Sequence, residues 1–231
     1  MFHRRYVALM DPAERFTEIL NGPAADRYLD LLCALVATTV DHSAEVGSIL
    51  LGLDKVAEQC PSSFDGIVDT LFASGMFAGD GDDYHDPRNS LLHEVLARRV
   101  GMPITLSVVA IEVGKRLGVP IRGVGLPGHF VIRDKKSGTF ADPFGRGLRY
   151  DAQGMVASWK QRMGGEATFR PTMFAPATVH EIMLRILSNL KHSLVERDQP
   201  VLLARIVPLR EAFAELDSER GEHRRWMRHF N

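Results

Sequence analysis

The segment 103–117 constrains this chain more than any other. It carries Ile104, Leu106, Val108, Val109, Ile111, Val113 and Leu117, which leave almost no polar face on a helical projection. A helix that is apolar nearly all round belongs at the centre of a core. Pro103 suits a first helical position, and Gly118 suits the residue just past a helix end. Three runs of β type follow at once, over 121–125, 130–133 and 139–141. Lys135-Lys136-Ser137-Gly138 supplies a turn between the last two. A fourth short strand fits 148–150. A buried helix followed by an antiparallel meander predicts an α+β fold, with the helix packed on a small antiparallel sheet.

The flanks read as helical. Asp11-Pro12 makes a cap and first-turn pair, and Asn21-Gly22-Pro23 stops that helix. Helical periodicity then runs over 25–40 and from Val46 to Val56, with Ser43 expected to cap the second stretch. Ser62 or Ser63 caps a further helix through Phe72. The polar stretch 78–90, with Asp80, Asp82, Asp83 and Asp86, does not follow the calcium-loop spacing and reads as a solvated loop. A helix over 90–99 comes next. After 152 the chain returns to helix, over 178–195 and 201–216, with Pro208 expected to kink or break the last. The expected organisation is a helical segment over 1–77, a core over 78–165 and a helical segment over 166–231, forming one compact unit.

Composition excludes several classes. Lysine plus arginine total 28 against 29 aspartate plus glutamate, a net charge of −1. That balance gives no general reason to expect a nucleic acid or an anionic membrane as partner. No apolar run approaches the ~18–20 residues of a membrane span. The start, MFHRRYVALMDPAERF, has two arginines with no apolar stretch behind them and does not read as a secretory signal. Cys33 and Cys60 have no metal spacing and fit buried thiols in a reducing cytoplasm. His85, His93-Glu94 and His180-Glu181 make no zinc pattern, so no metal is expected. Gly75, Gly79 and Gly81 form no phosphate cradle, so no cofactor is expected either. The basic tail over 220–231 reads as a solvated helix end.

The residues with chemical promise lie between the predicted strands. His129 opens one strand and Asp142 ends the next, so a hairpin brings them to the same sheet edge. A carboxylate beside an imidazole fixes its tautomer and raises its basicity, as in nucleophile–His–Asp triads. The alternative is that His129 only follows the Pro127-Gly128 turn and that Asp142-Pro143 only ends a strand.

This stretch resembles the transglutaminase-like core shared by transglutaminases and many enzymes of cysteine-protease fold. The carriers are Arg116-Leu117-Gly118-Val119-Pro120, Gly128-His129-Phe130 and Ala141-Asp142-Pro143. More closely it resembles the bacterial SirB-type branch. That likeness rests on Asp86-Pro87-Arg88-Asn89-Ser90-Leu91-Leu92, on the run from Arg99 to Ser107, and on Gly125-Leu126-Pro127-Gly128-His129-Phe130 and Asp142-Pro143-Phe144. The strong match covers about 83–147. The resemblance implies a nucleophilic cysteine opening the central helix. Counting from Gly101 and from Gly118 puts that position at Pro103, which has no nucleophile. The resemblance implies Gly-x-Pro for the SirB-type branch generally, and a link to bacterial regulation for some relatives.

Three readings follow. The first is a transglutaminase-like protein without thiol chemistry, binding a peptide or protein at the cleft of His129 and Asp142. The second is a hydrolase or acyltransferase in which His129 acts on Ser107, Thr105 or water. The third makes the His–Asp pair structural and gives the work to the helical flanks. Arg88 and Asn89, in the acidic-loop motif, either line the cleft or cap the helix at Ser90.

Overall fold

A computed structural model describes residues 11–219 and Gly221. The first ten residues and the tail beyond Gly221, on which the secretory-signal and solvated-tail readings fall, lie outside the described residues. In chain order the helices and strands are α1 (Pro12–Leu20), α2 (Leu29–Val40), α3 (Val46–Ala57), α4 (Phe64–Val68), β1 (Ala78–Gly79), α5 (Leu92–Arg98), β2 (Val100–Gly101) and α6 (Pro103–Arg116). Then come β3 (Ile121–Leu126), β4 (His129–Asp134), β5 (Phe140–Asp142), β6 (Leu148–Tyr150), α7 (Ala152–Arg162), α8 (Val179–Glu196) and α9 (Pro200–Arg210).

The apolar helix α6 is the hub. Its residues from Pro103 to Ala110 are all buried or nearly so, including the polar Thr105 and Ser107. It packs on β3 and β4 on one side and on α3 and α4 on another. The approach to β3 is close: a Cβ on Gly114 would lie 2.8 Å from the Val119 carbonyl oxygen and 2.9 Å from Ile121. Only a glycine leaves room for that contact.

Strands β3 to β6 form one antiparallel meander in sequence order. The β3–β4 register pairs Ile121 with Asp134 and Leu126 with His129. One hydrophobic core joins residues of α1, α2, α3, α6, α8 and α9 with the inner face of β3 and β4. A smaller cluster of Val124, Leu126, Val131, Phe140, Met155 and Trp159 packs α7 on the other side of the sheet.

Several local expectations are corrected. Ser43 does not cap α3. Its hydroxyl and N–H both donate to Asp41, and Glu45 stands at the cap, where its side chain accepts from the Ser48 hydroxyl and caps no backbone N–H. The helix after Ser63 stays α-helical only to Val68 and widens to a π-turn over Asp69–Ala73. The periodic stretch over 25–40 splits into a 3₁₀ turn, Ala25–Arg27, and α2. Pro208 sits inside α9, which ends at Arg210, and a 3₁₀ turn over Ala214–Glu219 replaces the last predicted turns. The acidic stretch is not a purely solvated loop. Ala78 and Gly79 pair in parallel with Val100 and Gly101, and Asp86, Asn89 and Ser90 are buried.

Candidate functional site

The β3–β4 hairpin and the end of β5 build the site. His129 opens β4 and Asp142 closes β5, and both are buried. His129 Nε2 lies 2.8 Å from Asp142 Oδ2. The other carboxylate oxygen, Oδ1, accepts from the Phe144 N–H at 3.1 Å and the Gly145 N–H at 3.0 Å. Gly145 is required by closeness: a Cβ there would stand 2.9 Å from Oδ2. Arg162 of α7 brings Nη2 to 3.5 Å from Oδ2.

This setting decides the charge of Asp142. Burial would push its carboxyl up. The His129 hydrogen bond and charge, the Gly145 N–H and the Arg162 charge together outweigh burial and hold it below the usual carboxylate range. A carboxylate accepts only, so Nε2 is the protonated nitrogen facing it, and in the neutral imidazole Nδ1 holds the lone pair. Nδ1 bonds to no described residue and is not among the buried polar atoms that lack a partner. The pair therefore offers a tautomer-fixed base with an open nitrogen.

Two further bonds hold the hairpin tip. Trp159 Nε1 of α7 donates to the Pro127 carbonyl at 3.0 Å, and Arg185 Nη1 of α8 donates to the Leu126 carbonyl at 3.1 Å. One turn along α8, Asn189 reaches Met102 Sδ at 3.4 Å, just before α6 begins.

The other predicted residues have different tasks. The Ser107 hydroxyl is fully buried and donates to the Pro103 carbonyl at 2.7 Å, within its own helix. Thr105 Oγ1 donates to the Asn89 carbonyl at 2.6 Å. Neither hydroxyl bonds to the imidazole. Asn89, also fully buried, donates to Asp80 Oδ2 at 3.0 Å and to the Asp83 carbonyl at 2.9 Å, and accepts from Arg98. Arg88 forks onto Asp86, which accepts at 2.6 and 2.9 Å. The side chains of Arg88 and Asn89 thus stitch the acidic loop together.

Both cysteines lie apart from this pair. Cys33 faces Met183 Sδ at 3.7 Å, and Cys60 donates to the Val56 carbonyl. Both are free and buried, and burial raises both thiols above their ordinary value, Cys33 strongly. Pro103 is the first residue of α6.

A family model described as the transglutaminase-like superfamily matches residues 26–188. The chain belongs to the transglutaminase-like superfamily. The match extends well beyond the hairpin region, into the helices before and after it. Among curated relatives, the chain is 37% identical to a UPF0162 protein of Xylella fastidiosa strain Temecula1, over 72% of this chain and 60% of that protein. It is 30% identical to a UPF0162 protein of Pseudomonas aeruginosa, over 60% of this chain and 54% of that protein. It is 29% identical to F-box only protein 21 of Mus musculus, over 54% of this chain and 21% of that protein. No solved structure matches.

Around the His129–Asp142 pair, the sequence reading missed Arg162, Arg185 and Tyr84. They come from α7, α8 and the acidic loop, and no local spacing links them. For metals, two trios among the described residues bring ligand atoms together: His85, His192 and Glu196, and Asp41, His93 and Glu94. Neither includes a residue of the His129–Asp142 pair. No helix among the described residues is long and apolar enough to cross a membrane.

Proposed function

We propose that this chain is a catalytically degenerate transglutaminase-like protein of the SirB-type branch. In this reading Pro103 occupies the nucleophile position, and the region around His129 and Asp142 binds a protein or peptide in a regulatory role. The observation that carries it is the intact His129–Asp142 pair with no thiol to serve it. Acyl transfer of this type needs a thiolate at the start of the central helix. Pro103 starts that helix here, and both thiols are buried elsewhere with their protons held on.

The second reading is a hydrolase that does without cysteine. Ser107 and Thr105 give it little support, because their hydroxyls are committed to main-chain carbonyls. Water activated at the open Nδ1 of His129 supports it better. Two buried, unbridged cysteines fit a cytoplasmic setting, and one shared core fits a single compact unit.

The test is a screen of the purified chain on ester, thioester, amide and isopeptide substrates, beside His129→Ala. The expected result is no turnover by either protein. Turnover that disappears in the folded His129→Ala variant would overturn the binding reading and establish the water-based one.

A further inference from the structure

The acidic loop and the end of α8 bring two imidazoles and a carboxylate together. His192 and Glu196 stand four residues apart on α8 and so share one face of it. His85 reaches them from the loop before α5. His192 Nε2 lies 3.2 Å from Glu196 Oε1, and His85 Nδ1 lies 3.6 Å from Glu196 Oε2. One ligand atom from each of the three residues lies within 4.8 Å of the other two. The two rings have centroids 5.0 Å apart and planes inclined at 73°, so they do not stack. All three side chains are exposed, which gives an ion a way in.

These spacings are those of a coordination shell. Zinc bonds of about 2.1 Å to nitrogen and oxygen set the ligands of a tetrahedron about 3.4 Å apart. The two nitrogen–oxygen spacings, one to each carboxylate oxygen, bracket that value. A simple ion pair accounts for one imidazolium against Glu196. A second imidazolium 5.0 Å from the first is repelled by it. A single cation shared by two neutral imidazoles and the carboxylate is attracted by all three.

The loop is also held in place for this. Arg197, just past α8, donates from Nε to the His85 carbonyl at 3.2 Å and pairs with the Asp83 carboxylate. Asp83 matches its charge, so Arg197 opposes a nearby cation only weakly. Tyr84 sets its ring edge-on to both His85 and Phe144, at 5.1 and 5.7 Å. The Phe144 N–H is one of the two that hold Asp142.

We propose that His85, His192 and Glu196 bind a divalent transition-metal ion of the zinc class, which clips the acidic loop to the end of α8. Two imidazoles select such ions over magnesium and calcium, which take oxygen ligands. Three protein ligands leave a fourth position for water. The other trio fits less well. It has one imidazole, Asp41 Oδ1 accepts from the Ser43 N–H and hydroxyl, and Oδ2 is hydrogen-bonded to His93 Nε2 at 3.2 Å. The proposal does not depend on what binds at His129 and Asp142.

The experiment takes the full chain, without an affinity tag and stripped by a chelator. It is titrated with Zn²⁺ by calorimetry and with Co²⁺ by visible absorbance. His85→Ala, His192→Ala, Glu196→Gln and His93→Gln are titrated beside it. The expected result is one tight Zn²⁺ site per chain and Co²⁺ bands of low coordination number. Affinity falls at least about tenfold in each of the first three variants and is unchanged in His93→Gln. Zn²⁺ also slows hydrogen exchange over 80–86 in wild type and not in His192→Ala. The three ligands are exposed, so their variants keep the fold, which metal-free thermal melting checks. Four results overturn the proposal: no Zn²⁺ binding, binding undiminished in the folded His85 and His192 variants, loss confined to His93→Gln, or loop exchange unmoved by bound Zn²⁺.

Discussion

Replacing Asp142 with asparagine isolates what the carboxylate does. The amide oxygen can keep the two N–H bonds that Oδ1 accepts from Phe144 and Gly145. The amide nitrogen then takes the place of Oδ2 and points a donor at His129 Nε2, which lies 2.8 Å from Oδ2 in the wild type. Two donors cannot bond, so the imidazole proton must move to Nδ1 or the contact must break. A charge-assisted hydrogen bond contributes about 1.5–3 kcal/mol. Burying a neutral amide in place of a carboxylate returns part of that through lower desolvation. Arg162 adds little, because it is 44% exposed and 3.5 Å away. The expected loss at pH 7 is about 1–2 kcal/mol, or roughly 2–8 °C in Tm for a chain of this size.

The pH dependence has a definite sign. The folded-state pKa of Asp142 is lowered. Its contribution is therefore fully present above the unfolded value of about 3.9 and is lost as pH falls through the lowered folded value. Urea unfolding of both proteins at several pH values should show a gap that is constant near neutrality and closes in acid. Imidazole ¹⁵N spectra should show the proton on Nε2 in wild type and not in the variant. Equal stabilities from pH 7 down into acid, or an Nε2–H tautomer in both proteins, would refute the reasoning.

Other outcomes follow from the same structure. Ser107→Ala removes a hydroxyl bonded only within its helix, so urea unfolding should move by no more than about 1 kcal/mol. Asn89→Ala strips partners from a fully buried amide and should cost about 2–3 kcal/mol; hydrogen exchange should show the loop over 80–86 losing protection first. Gly114→Ala forces a methyl to within 2.9 Å of Ile121, and overpacking of about 1–3 kcal/mol should outweigh the ~1 kcal/mol gain in helix propensity; a raised Tm would show that α6 can shift. Cys33 and Cys60 should resist a thiol reagent in the native protein and react on unfolding; rapid native labelling would contradict their burial.

What the sequence determined by itself was local. Helix α6 is legible because its apolar residues exceed any amphipathic pattern, and its start at Pro103 follows from proline's fixed φ. The caps at Asp11 and Ser63 are legible because a cap bond spans only two or three residues. The meeting of His129 and Asp142 is legible for the same reason: short turns join β3 to β4 and β4 to β5, so one sheet edge collects both. The tertiary structure decided everything that depends on how distant helices pack. Ser43 had a cap's position, yet Asp41 competes for its hydroxyl. Asn89 and the aspartates read as loop residues, yet packing draws Asn89 and Asp86 inside and leaves their side chains to bond one another's segments. Arg162 and Arg185 sit in amphipathic helices like many other surface arginines. Only the docking of α7 and α8 on the two sides of one hairpin sets Arg162 beside Asp142 and Arg185 on the Leu126 carbonyl, because helix rotation sets which side chains meet and periodicity alone does not record it.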